Sequence, residues 1–183
     1  MTVTPATIVR VALLVLVTVV LQLAVVTQIT VLDADPDLFP LVTLSVGLLA
    51  GPIPGATCGF LLGLVADMAL LQTLGVTSLL LIGVGYLFGR YREMRDASHK
   101  LVPVIGAVLA TLAYATTFSL VQFLLGVESP VSPLVIREIL VGALLNGLLA
   151  IPVFAAVRAF LRADLIDDLR PRRRPVTRLR VTT

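Results

Sequence analysis

Few side chains in this 183-residue chain could do chemistry, and those that could lie inside apolar runs. Asp67 is the one acid deep in the apolar stretch Ala56–Leu71. An ionisable residue in such a segment points to a structural anchor, a contact for a partner or ligand, or a proton-coupled step. Arg137 and Glu138 stand next to each other near the start of the apolar stretch Leu134–Leu161. Adjacent helical positions do not face each other, so Glu138 is a poor partner for Arg137 and Asp67 a better one. The alternative is that Arg137 snorkels to the aqueous interface. Gln122 and Asn146 add polarity in the neighbouring runs. Asp67, Gln122, Arg137, Glu138 and Asn146 thus form a candidate intramembrane polar cluster, serving either a ligand or a buried structural network.

Other chemistries find no residues to support them. The single cysteine, Cys58, allows no internal disulfide, and a lone cysteine is no metal site. The single histidine, His99, lies in a charged stretch, Gly89–Lys100. The acids Asp33, Asp35 and Asp37 lack the glycine and the distal glutamate of a calcium loop. They read as an acidic loop in which Asp35 caps a helix starting at Pro36. No nucleophile–base pair, metal set or phosphate-binding loop is present, so enzyme is the least expected class. No catalytic, cofactor-binding or metal-ligating residue is assigned, and no nucleic-acid partner is expected.

The elements that position these residues are helices in lipid. Apolar residues make up 58% of the chain and mean hydropathy is +1.05. Charged residues are 14%, against roughly 25% in a soluble domain. A soluble fold of this length could not bury that much apolar surface, so most of the chain must be solvated by lipid. Arg10 is followed by an uncharged run from Val11 to Leu32, too long for a signal-peptide core and read as a retained helix. Six apolar segments follow from the charges and Gly/Pro clusters: Ile8–Leu32, Leu38–Ala50, Ala56–Leu71, Val76–Phe88, Leu101–Leu125 and Leu134–Leu161. Gly51–Gly55 and Gln72–Gly75 read as turns.

The expected fold is therefore all-α, a polytopic bundle of six transmembrane helices over residues 1–162, with a basic cytoplasmic tail at 163–183. The second segment is short enough to be re-entrant instead, which would leave five spans. Charge distribution favours six. With the N-terminus inside, thirteen of the fourteen basic residues fall on the cytoplasmic side and Arg137 alone does not. Gly55, Gly59 and Gly63, spaced by four, line one helix face that admits close approach of another helix, either within the chain or from a partner. Arg172, Arg173 and Arg174 in the tail suit anionic lipid headgroups at roughly 1 kcal/mol per charge, or a cytoplasmic partner.

The order Pro36-Asp37, then Gly59-Phe-x-x-Gly63-Leu-x-x-Asp67, then Leu74-Gly75, then Tyr86 resembles the MreD family of rod-shape-determining proteins. The match in motifs covers roughly residues 36 to 90, and length and segment count fit across the chain. The resemblance implies a non-enzymatic inner-membrane subunit of the bacterial elongation machinery. Its partners would be MreC and, through it, the MreB filament, RodA and a penicillin-binding protein. The family also looks like the six-helix substrate-binding subunits of energy-coupling-factor vitamin transporters, which supplies an alternative function by analogy of fold.

Overall fold

A computed structural model describes residues 5–24, 35–71, 73–94, 101–126 and 133–168. The described chain is all helix, with no strand: α1 (Pro5–Ala24), α2 (Leu38–Ala50), α3 (Pro52–Ala69), α4 (Val76–Met94), α5 (Val102–Leu124) and α6 (Pro133–Asp168). The apolar segments become these helices, with some boundaries shifted. α3 starts at Pro52, because proline is preorganised for the first helical turn, and Gly51 alone, at φ 104°, separates it from α2. α4 runs on to Met94, so the expected loop begins later than Gly89. α6 continues past Leu161 to Asp168, so the first residues assigned to the tail are helical. Within the described residues α1 ends at Ala24, and 25–34 lie outside them.

α2 is the axis of the bundle. Every residue from Phe39 to Leu48 is buried, and Leu41 and Leu44 are 1% exposed. At 13 residues it spans only about 20 Å, and its polar ends therefore need partners inside the protein. Phe39, Val42 and Val46 of α2 form one core with Leu14, Val15 and Val19 of α1, Leu62 of α3, Leu81 of α4 and Val157 of α6. Leu44 and Leu48 form a second core with Val84 of α4 and Ala110 of α5.

α3 and α4 run antiparallel with their backbones in contact, and the glycines make this possible. A Cβ built on Gly55 would sit 2.6 Å from the Gly85 carbonyl oxygen and 2.7 Å from Gly47 Cα, so α2, α3 and α4 meet at three glycines. A Cβ on Gly59 would lie 2.5 Å from the Leu81 carbonyl oxygen, and one on Gly63 would strike the backbone of Ser78. The stripe expected from the spacing is thus an internal packing face, covered by α4.

The outer surface is apolar. Leu148 is 77% exposed, Leu79 70% and Leu87 66%, a surface that only lipid solvates at low cost. Pro52–Ala69, Val102–Leu124 and Ile136–Leu161 are each long and apolar enough to cross a membrane, and Val9–Ala24 and Leu38–Ala50 are shorter apolar helices. Pro152 sits inside α6, where it leaves the Leu148 carbonyl without its usual i→i−4 partner.

Candidate functional site

The first turn of a helix leaves backbone N–H groups without partners, and a membrane interior supplies none. At the start of α2 the protein provides them from three directions. The Asp37 carboxylate caps its own helix, accepting from the Phe39 N–H at 2.8 Å. Gln22 of α1 accepts from the Leu38 N–H at 2.9 Å through Oε1 and donates to the Pro36 carbonyl at 3.1 Å through Nε2. Asn146 of α6 accepts from the Asp37 N–H at 2.9 Å, and its Nδ2 donates to the Asp37 carbonyl at 3.0 Å and to Thr111 Oγ1 of α5 at 2.9 Å. Pro40 has no N–H to satisfy. Asp37, not Asp35, is the cap, because the helix begins at Leu38 and not at Pro36.

A second polar point lies where α3 turns into α4. Asp67 is 1% exposed, and its Oδ2 accepts from the Gly75 N–H at 2.7 Å. Gly75 (φ 94°) and Leu71 (φ 52°) take left-handed backbone conformations in this turn, and the Gly75 carbonyl accepts from the Leu79 N–H at 2.9 Å to open α4. Asp67 therefore reaches from the end of one helix to hold the start of the next. Its Oδ1 is buried and has no hydrogen-bond partner among the described residues. Tyr114 of α5 packs against the core that holds Phe39, Leu62 and Leu81. The Tyr114 ring stacks on Phe118 with centroids 5.8 Å apart.

Of the five residues expected to cluster, Asp67 and Asn146 are buried, Gln122 is half-buried, and Arg137 and Glu138 are exposed. No ion pair joins Asp67 to Arg137; the Asp67 carboxylate is held instead by a backbone N–H. The reason is geometric. Arg137 and Asn146 are nine residues apart on one helix, about 180° around its axis. With Asn146 turned inward at 0% exposure, Arg137 must point outward. Gln122 places its Oε1 in the interior without a partner among the described residues. The network instead recruits Gln22, Asp37 and Thr111. Gln22 carried a usable signal: with Thr18 it forms a polar pair four residues apart on a helix that is otherwise apolar after Arg10. Arg172, Arg173 and Arg174 lie outside the described residues.

The Gln22, Asn146 and Asp67 hydrogen bonds each run from one helix to the start of another or to a neighbouring helix, and so tie helices together. Fold and site together define a membrane helix bundle whose buried polar groups fix the mutual placement of its helices. The chain belongs to the MreD family: the family model described as rod shape-determining protein MreD matches residues 4–163. Comparison with curated proteins and with solved structures finds no match, and a likeness to energy-coupling-factor subunits is not shown. The family places the chain among the membrane proteins of the rod-shape-determining system, a structural and shape-determining group.

Proposed function

We propose that this chain is a scaffold subunit of the cell-elongation complex, helping to couple cytoplasmic MreB filaments to sidewall peptidoglycan synthesis. Membership of the family over residues 4–163 carries this reading. Its direct partner is MreC, and through MreC it reaches MreB, RodA and a penicillin-binding protein. The internal use of the buried polar groups supports the reading: Gln22, Asn146 and Thr111 spend their hydrogen bonds on α2 and on one another. Such a molecule acts by presenting rigid helix faces and short loops, and it is not an enzyme. We place it in the bacterial cytoplasmic membrane with six spans and both termini in the cytoplasm, on the strength of the basic residues in the sequence.

The test is deletion in a rod-shaped host. Loss of the chain gives rounded cells, while the peptidoglycan synthases keep their activities when assayed separately, and vitamin uptake is unchanged. Rod-shaped deletion cells that fail to take up one vitamin would overturn the scaffold reading in favour of a transporter subunit.

A further inference from the structure

The bundle is closed on most sides by close helix packing, but α4 and α5 part over their middle turns. Between them runs an apolar groove of about 390 Å³. Val84, Leu87, Phe88 and Tyr91 line it from α4, and Leu109, Ala110 and Ala113 from α5. Phe88 packs against α5 at Gly106, and the small side chains Ala110 and Ala113 line the groove beyond it. It opens to the outside of the bundle, since Leu87 is 66% exposed and Leu109 56%. An apolar space of this kind holds no ordered water, and in a membrane its natural occupant is an acyl chain.

The two ends of the groove differ in polarity. Val84, 7% exposed, is the most buried of the α4 residues that line it. At the other end stands Tyr91, and beside it Arg92 in the last turn of α4. Arg90 is engaged with Glu93 at 2.6 Å. Arg92 is exposed, and no ion pair is found for it among the described residues; it follows Phe88 by four residues, one turn further along the same face. A molecule that is apolar along its body and negative at one end matches this gradient. We infer that the α4–α5 groove binds one anionic phospholipid, its acyl chain against Phe88 and Ala113 and its phosphate held by Arg92. The inference rests on the chain lying in a membrane, and on the proposed topology only for the leaflet, which is the cytoplasmic one.

The chain has no tryptophan, so one can be introduced as a single reporter. Leu87→Trp places it at the groove, and Leu148→Trp, on α6 at 77% exposure, samples bulk lipid. Each full-length variant is reconstituted in phosphatidylcholine vesicles containing brominated-chain phosphatidylglycerol or, separately, brominated-chain phosphatidylcholine. Quenching at Leu87→Trp is expected to favour phosphatidylglycerol about fivefold, the effect of one basic charge at a membrane surface. Leu148→Trp is expected to show no preference. Adding Arg92→Gln removes the preference at position 87, and Ala113→Phe, which fills the groove, lowers quenching there by either lipid. Equal behaviour of the two reporters means surrounding lipid only and overturns the inference. So does a preference that survives Arg92→Gln, or a position 87 that no brominated lipid quenches, which would mean a protein segment covers the groove. None of these outcomes bears on cell shape, so the scaffold reading stands or falls separately.

Discussion

The carboxamide of Asn146 pairs with both backbone groups of Asp37, 109 positions away in the chain, accepting from its N–H at 2.9 Å and donating to its carbonyl at 3.0 Å. A side-chain amide here takes the place of another backbone. It docks α6 against the start of α2, and Gln22 does the same from α1 on the two flanking residues. The short central helix is thus held at its polar end by two others, α1 and α6.

Asn146→Leu should be strongly destabilising. It orphans the Asp37 N–H and removes the side-chain partner of the Thr111 hydroxyl, in a site where Asn146 is 0% exposed. Each buried unpaired group costs about 1–3 kcal/mol. Unfolding in mixed micelles measures this; a midpoint equal to the parent's would show that the pairing contributes nothing.

Asp67 and Arg137 should behave as unrelated residues. Asp67→Ala removes the hydrogen bond to Gly75 N–H and should cost about 0.5–2 kcal/mol, the usual range for a lost helix cap. Asp67→Asn keeps an oxygen acceptor and should recover most of that loss. Arg137→Gln, at an exposed position, should stay within about 0.5 kcal/mol. An Arg137→Gln defect that matches Asp67→Ala and vanishes in the double variant would restore the ion pair.

The glycines divide into two kinds. Gly59→Ala and Gly85→Ala push a methyl into the backbone of the facing helix and should cost at least the roughly 1–3 kcal/mol of an overpacked core. Gly83 has open space at its Cβ and an ordinary helical φ, so Gly83→Ala should be neutral or stabilising by about 0.5–1 kcal/mol. Accumulation in membranes and unfolding midpoint read the contrast. Equal effects at Gly83 and Gly59 would argue that α3 and α4 are not in backbone contact.

Cys58 is 0% exposed and is the chain's one thiol, so the native protein should resist maleimide until denatured. That silence makes the parent a clean background for topology. Asp35→Cys should label from the periplasmic side with an impermeant reagent, and a cysteine replacing Thr183 should label only after the membrane is opened. Labelling of position 183 from outside would contradict cytoplasmic placement of both termini.

The sequence by itself determined the class of protein and most of its helices. Apolar content this high leaves lipid as the solvent, and proline, glycine and charge mark helix ends whatever the tertiary fold. The apolar run Leu38–Ala50 was legible between the acidic stretch and Gly51, but its cap was not: a start at Pro36 pointed to Asp35, where Asp37 caps the helix. The motifs from Pro36 to Tyr86 pointed to the family that the match over residues 4–163 establishes. The small face of α3 was also legible, since spacing by four is a property of one helix. Its partner was not, because what it touches is the backbone of Ser78, Leu81 and Gly85. The same holds for Asp67. Its polarity was visible, but its partner is the N–H of Gly75, a group every residue but proline carries and no residue type announces. Reading side chains alone therefore favoured Arg137, the one basic residue off the cytoplasmic side. Only the tertiary structure decided which polar groups meet, because that depends on how each helix is rotated about its axis. The turn that brings Asn146 to Asp37 is the one that sends Arg137 outward.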